Sequence, residues 1–474
     1  MAAVGHLAIP SVFGDATNLA IINLTPYDLV QSHKPHSYQM VDWNDAFPST
    51  VGKNSFGHAY IKIKTGLKTD EADDGGEFYY SLDDGTDNTI ELALDVSGSL
   101  ANYKIHLNAD LTGISIANND ETVPVVFRGN SDADKNPWTP FIIAGDVKSG
   151  YIGNNPPTAW MSSILDSIGC QTLQQIVIPG THNSGMSKVQ FSSFGSMASN
   201  TKTQESDILG QLNAGARYLD IRPVYVKSDY YTGHYSKVDG DWRGSAGQSI
   251  KEAISDIRTF TSSNAELVIV YLSHTLDLSN DGDPFDDDAW NEVLVRFRNG
   301  LKSALWAVDT TDALTTIPIS KFISCGPAVV IVVDERDKAY LDSKHFTGRG
   351  FFPRSAFPKY DSYANSDNLD KIREDQYSKL QDFGKTHDKD QIFLLSWTAS
   401  LQGAENADPL DHITARANVL NNHLAEFKGQ APYNSPLLWR SGKGKPNIIM
   451  IDNIKPDKHL VALTAAFGVH RSTC

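Results

Sequence analysis

Cysteine is scarce in this chain of 474 residues: only Cys170, Cys325 and Cys474 occur, far apart and without a C-x-x-C pair. Neither a disulfide framework nor a zinc site is expected from that spacing. Long apolar runs are missing too. No stretch approaches the roughly 18 consecutive apolar residues of a membrane helix, and residues 1–14 show neither a basic start nor a long apolar core. A transmembrane segment and a secretory leader are therefore not expected; cytoplasm is the default address, with unconventional secretion as the alternative. Basic residues are in short supply, 41 Lys+Arg against 57 Asp+Glu for a net charge of −16. Without a clustered basic surface the chain is not expected to bind nucleic acid. Asn23-Leu24-Thr25 is a single glycosylation tripeptide, of a kind that arises by chance.

What is present is ordinary globular composition, 40% hydrophobic and 10% aromatic. The length suggests two or three domains, and two is the starting expectation. Character changes near residue 150: the first 150 residues hold 9 Lys+Arg and 20 Asp+Glu, leaving 32 and 37 for the rest. Residues 1–150 contain short β-like runs at Leu19–Thr25, His58–Lys64, Glu77–Leu82, Thr89–Val96, Tyr103–Ala109, Gly113–Asn118 and Thr122–Arg128. Turn-forming clusters of Asp, Asn and Gly separate several of them, which predicts an antiparallel β-sandwich. Asp70 to Gly76 is acidic, but its spacing does not fit a twelve-residue calcium loop and a hairpin turn is the simpler reading.

Residues 151–474 alternate apolar strands with amphipathic helices. Strands are expected at Gln175–Ile178, Arg217–Arg222, Tyr230–Tyr235, Leu267–Leu272, Val329–Val333, Ile392–Ser396 and Ile448–Ile451. Ile250, Ala253, Ile254, Ile257 and Phe260 share one helical face, as do Trp290, Val293, Leu294, Phe297, Leu301 and Leu305. The alternation fits either a doubly wound sheet or a closed (β/α) barrel, and periodicity does not choose.

Chemistry-bearing residues gather at the ends of these strands. Ile178-Pro179-Gly180-Thr181-His182-Asn183 runs an apolar strand into a turn that presents a histidine; a capped turn is the structural alternative. Gly215-Ala216-Arg217-Tyr218-Leu219-Asp220-Ile221-Arg222 places Tyr218, Asp220 and Arg222 on one face of a strand. A core ion pair between Asp220 and Arg222 is the alternative to a ligand site. Tyr230 to His234 ends in Gly-His, and Ile448 to Asp452 ends in a carboxylate. Two histidines, an arginine and a carboxylate are what cleavage of a phosphodiester by an internal hydroxyl requires.

With these residues the sequence, from about Thr172 to Ile454, resembles the X-domain family of phosphatidylinositol-specific phospholipases C. The resemblance implies an irregular (β/α)8 TIM-type barrel after the amino-terminal β domain. It implies His182 as general base toward the inositol 2-hydroxyl with Asp452 behind it, His234 as general acid, and Arg222 as the arginine that stabilises phosphate in the metal-independent bacterial branch. Asp220 and Asn183 complete the expected catalytic group. That branch has Asp directly after its first histidine, where this chain has Asn183, so proton donation assisted by an acid there is not supplied. The calcium-dependent branch has an acid where Arg222 stands and a glutamate after Leu267–Leu272, where this chain has Ser273-His274; no metal and no cofactor are expected. Asp361-Ser362-Tyr363 resembles the bacterial Asp-x-Tyr that holds the inositol ring, with a solvated loop as the alternative.

The amino-terminal part, with Trp43 and Pro48 after His36, resembles small fungal β-sandwich proteins of the aegerolysin or cytolysin type, some of which bind lipid or sugar. Two functions follow as expectations. One is a phosphodiester lyase acting on an inositol phospholipid or glycolipid at a membrane surface, or its relative acting on another lipid head group. The other is a catalytically silent protein that binds lipid or glycan.

Overall fold

A computed structural model describes residues 16–63, 75–85, 89–95, 103–110, 120–125, 138–147, 150–154, 156–193, 196–310, 312–386, 388–400, 412–424, 445–455 and 464. The chain divides into two compact units, and the break along the sequence falls after residue 155.

In the first unit one sheet runs Gly150–Ile152, Trp138–Asp146, Ala16–Leu24, Ser55–Ile63, Met40–Val41. The other runs Asp120–Val125, Tyr103–Asp110, Thr89–Asp95, Gly75–Leu82, Leu29–Gln31, Thr50–Val51, with His36–Tyr38 also paired to Gly75–Leu82. Leu19, Ile21, Ile61, Ile63 and Phe141 of the first sheet share one apolar cluster with Phe78, Tyr80, Ile90 and Leu92 of the second. Alternate residues of Gly75–Leu82 point into that cluster, as a half-buried strand requires. Among the described residues pairing departs from an all-antiparallel arrangement at one place, where Ala16–Leu24 and Trp138–Asp146 run parallel. The second of these was not expected from the sequence. Residues 139–145 are all buried, so their side chains carry no polar alternation to announce a strand. The expected strand at 113–118 and the acidic turn at 70–74 lie outside the described residues.

Asn23 is fully buried: its amide donates to the carbonyls of Tyr27, Val51 and Gly52, and its oxygen accepts from Thr25. The tripeptide that starts there is a turn staple with no side chain to offer a sugar.

The second unit is built on eight parallel strands. Their order is Phe351–Pro353, Ala328–Val333, Leu267–Leu272, Tyr218–Ile221, Ile178–Thr181, Ile448–Ile451, Ile392–Trp397, Lys359–Asp361. The first strand in the chain pairs with both the second and the last, the connectivity of a (β/α) barrel. Among the described residues no pairing joins Phe351–Pro353 to Lys359–Asp361, and the ring is open there. Leu267–Leu272, Ala328–Val333 and Ile392–Trp397 are buried throughout, which suits parallel strands covered on both faces.

Helix Ile250–Thr261 starts at a capping box in which Ser249 and Glu252 satisfy each other's backbone N–H groups. It buries Ile250, Ala253, Ile254, Ile257 and Phe260, the expected face. Helix Asp287–Leu301, capped by Asp286, buries Trp290, Val293, Leu294, Phe297 and Leu301. Leu305 is not on that face. Lys302 takes a left-handed φ of 45°, a short 3-10 turn follows, and Leu305 is buried beyond it.

At the amino ends of the strands Arg217 and Glu266 form an ion pair of 2.8 Å with both side chains fully buried. The guanidinium also donates to the carbonyls of Thr158, Leu212 and Ala216, while the carboxylate accepts the N–H groups of Met161 and Ser162. Burial of both charges is tolerated because the remaining lone pairs and protons are used.

Tyr230–Tyr235 is not a barrel strand. It belongs to Asp229–Val238, which forms a hairpin with Asp241–Ser249 in a second sheet ordered Phe191–Ser192, Asp241–Ser249, Asp229–Val238, Pro223–Val226, Leu276–Asp277. The hairpin turns on Asp239 and Gly240, at φ of 52° and 90°, between the partners Val238 and Asp241. Asp-Gly with both residues left-handed is a favoured two-residue hairpin turn. Cys170 is disulfide-bonded, contrary to expectation, while Cys325 is free and exposed. Among the described residues no helix is long and apolar enough to cross a membrane.

Candidate active site

His182 is the first residue beyond Ile178–Thr181, and its backbone N–H still donates to the Ile451 carbonyl of the neighbouring strand. That register sets it beside Asp452, the first residue beyond Ile448–Ile451. The His182 Nδ1 to Asp452 Oδ1 distance is 2.8 Å, with side-chain exposures of 17% and 2%. Since a carboxylate only accepts, the proton of a neutral His182 sits on Nδ1 and the lone pair on Nε2. Burial pushes the Asp452 carboxyl above its usual range, opposed only in part by His182 and Arg222.

Asp220 and Arg222 meet as the strand periodicity predicts. Arg222 Nε lies 3.2 Å and its terminal nitrogen 3.1 Å from Asp220 Oδ2, which also accepts the Asn183 backbone N–H at 3.1 Å. Burial alone would raise the Asp220 carboxyl, but Arg222 foremost, then His182 and His274, outweigh it and hold the group at about 2. Asp220 is thus a fixed anion that aims the guanidinium.

His234 reaches the same place from the second sheet. Its ring centroid is 6.0 Å from that of His182, nearly edge-on at 76°. Its Nδ1 is 3.1 Å from the Thr201 carbonyl, so the neutral ring donates from Nδ1 and carries its lone pair on Nε2. Burial first, then the charges of His182 and Arg222, depress His234 to about 3. The resting imidazole is neutral at pH 7.

Residues that the sequence reading missed join these pieces. Gln204, fully buried, donates to the carbonyls of His182 and Ile451 and accepts the Ile454 N–H. Thr203 donates to the His182 and Asn183 carbonyls, and its own carbonyl accepts the Asn453 N–H. Asn421 donates to the Asp452 carbonyl at 2.8 Å. One short segment, Thr201 to Gln204, therefore ties together the ends of two barrel strands and the His234 ring. No pattern in the sequence announces it, because its partners are backbone carbonyls. Asn183, His274 and Asn453, all just past strand ends, take left-handed φ values of 43°, 51° and 53°.

Asp361 ends Lys359–Asp361 and pairs with Lys359, whose ammonium lies 4.2 Å from the Tyr271 ring centroid. Its charge is felt by the buried Tyr218 hydroxyl, which burial and then Asp361 and Asp220 raise well above normal. Tyr271 donates to Asp334 at 2.6 Å, and Arg354 lies 3.3 Å from that carboxylate. Tyr363 is 59% exposed on the loop that follows, and among the described residues no contact joins it to the histidines. Among the described residues no three His, Cys, Asp or Glu side chains gather as a metal site.

The chain is similar to several solved structures. A variant of phosphatidylinositol-specific phospholipase C from Staphylococcus aureus is 15% identical over 66% of this chain and 98% of its own, at a TM-score of 0.43. The enzyme of that name from Listeria monocytogenes is 17% identical over 65% and 98%, also at 0.43. No protein-family model and no curated protein matches the sequence.

Proposed function

We propose that the protein is a phosphodiesterase of the lyase type that cleaves an inositol phospholipid or glycolipid at a membrane surface. The inositol 2-hydroxyl attacks phosphorus, giving a cyclic inositol phosphate and diacylglycerol. What supports this reading is the facing pair of imidazoles, His182 backed by Asp452 and His234 across from it at 6.0 Å, with the Arg222 guanidinium held beside them by Asp220.

His182 Nε2 takes the hydroxyl proton, and Asp452 keeps its ring oriented and stabilises the imidazolium. Arg222 forks donors onto the phosphate oxygens as negative charge develops on the phosphorane, so no divalent cation is required. His234 delivers a proton to the departing glycerol oxygen. Because its resting ring is neutral, that proton is gained when the anionic phosphate enters and offsets the repulsion of Arg222 and His182. Asp361 and Tyr363 take the role of contacts to the sugar ring. The first unit serves as a lipid- or glycan-binding module, and its net −11 over residues 1–150 means docking without attraction to anionic lipid.

Phosphorus NMR of phosphatidylinositol vesicles incubated with the full chain tests the reading. A cyclic phosphodiester signal that precedes any monoester is expected. Vesicle binding without any new phosphorus signal would instead identify a silent lipid-binding protein.

A further inference from the structure

Asn183 sits where its side chain acts on the base and not on the acid. Its amide nitrogen is 3.2 Å from His182 Nε2, the nitrogen that Asp452 leaves bare. Its amide oxygen is buried and, among the described residues, has no hydrogen-bond partner, in a residue only 2% exposed. An orphaned buried acceptor is costly to keep and calls for a donor. The one proton whose arrival is coupled to this contact is that on Nε2.

We propose that Asn183 is a positioning residue whose side-chain amide caps the bare Nε2 of His182 and turns over when that nitrogen takes a proton. With the ring neutral and no substrate bound, the amide N–H donates to the lone pair and keeps the imidazole in one orientation; an incoming hydroxyl displaces it from Nε2. Once Nε2 is protonated, two N–H donors would face each other. Rotating the amide by half a turn replaces that clash with a hydrogen bond from Nε2–H to the amide oxygen, which is the acceptor now unused. A hydrogen bond from a charged donor is about twice as strong as a neutral one, so the exchange favours the imidazolium. The catalytic meaning of this rests on the base role proposed for His182; the contact itself does not.

Other groups also face His182: Asp452 beyond Ile448–Ile451, Asp220 within Tyr218–Ile221 and Arg222 just beyond it, and His234 on the second sheet. All of them stay in place in a variant confined to residue 183, which isolates the amide. Glycine suits the left-handed φ of 43° at that position, so Asn183→Gly removes the side chain without adding backbone strain.

The test is a pH titration of the full chain carrying nitrogen-15 histidine, with the His182 signals assigned by their loss in His182→Gln. In the wild type the neutral-ring Nε2 resonance should show the displacement of an accepted hydrogen bond, and Asn183→Gly should abolish it. The proton concentration that half-protonates Nε2 should rise about tenfold in Asn183→Gly and fall about tenfold or more in Asn183→Asp, where a carboxylate replaces the amide. Superimposable titrations of the three proteins, or a wild-type Nε2 that accepts no hydrogen bond, overturn the proposal. If the titrations shift as stated while none of the proteins releases a cyclic phosphate, the amide assignment stands and the proposed function falls.

Discussion

His182 and His234 face each other at 6.0 Å although they belong to different sheets, one at a barrel strand end and one inside a hairpin outside the barrel. The two imidazoles are therefore carried by different elements, with the Thr201 to Gln204 segment as the link between them. If each imidazole carries one proton transfer, His182→Ala and His234→Ala should each lower turnover of phosphatidylinositol by roughly 10²–10⁴. Groups that act as a unit lose activity non-additively, so the double variant should be little worse than the poorer single one. Initial rates from phosphorus NMR, set beside thermal melting to show native folding, check this. A single variant with near-native rate removes that residue from the chemistry.

His234 gives the protein a pH signature in stability. Its folded value of about 3 lies below the ordinary 6.5, so between those two values the unfolded chain binds more protons than the native one. Stability from this group is complete above about pH 6.5 and drains away as pH falls toward 3. Melting temperature should decline across that window, and more gently in His234→Gln. Equal slopes would show that the native imidazole is not held neutral.

The same depression predicts a split in the kinetics. The profile of kcat/KM reports the free enzyme, and that of kcat reports the complex. If a bound phosphate restores the His234 proton, the limb on which activity is lost with rising pH should lie at lower pH for kcat/KM than for kcat. Coincident limbs would mean that substrate does not load the acid.

The parts of the barrel legible in the sequence were those whose signal is local. Apolar runs such as Leu267–Leu272 and Ile448–Ile451, and the helical faces of Ile250–Thr261 and, Leu305 apart, Asp287–Leu301, read correctly because burial on known periods leaves a pattern. Asp220 and Arg222 were placed together by the two-residue period of a strand. Phe351–Pro353 and Lys359–Asp361 escaped because three residues are too few to show a period. The hairpin around Asp239-Gly240 was misassigned although its turn signal was present, since the run Tyr230–Tyr235 reads equally well as a barrel strand. Which carbonyls Gln204 and Thr203 would meet depends on how strands from both ends of the chain come together, and no local pattern encodes that.

Arg217 and Glu266 make a prediction about stability alone. Both lie at the amino ends of the strands, away from the histidines, and both are fully buried. Breaking one partner leaves the other charge uncompensated, and Glu266→Gln or Arg217→Met should destabilise by about 3–5 kcal/mol in urea unfolding. Replacing both with apolar residues should recover only part of that, because the N–H groups of Met161 and Ser162 lose their acceptor. The kcat of the folded fraction should be unchanged. A loss in kcat larger than the loss of folded protein would place this pair in communication with the site.

Arg222 carries the claim that no metal takes part in turnover. Negative charge on the phosphorane must be met by a divalent cation held by several oxygens or by a fixed cationic side chain. In the proposed mechanism that cation is Arg222, whose guanidinium is held by two donors to Asp220. Arg222→Lys keeps the charge but not the planar fork, so it can neither hold Asp220 with two nitrogens nor meet two phosphate oxygens at once. Loss of one transition-state donor of this kind costs about 10²–10³ in kcat, and Arg222→Lys should fall in that range with KM changed far less. Excess EDTA, in contrast, should leave the wild-type rate on phosphatidylinositol intact. If the chelator abolishes activity and calcium restores it, the charge on phosphorus is met by an ion, and Arg222 must serve Asp220 rather than the substrate.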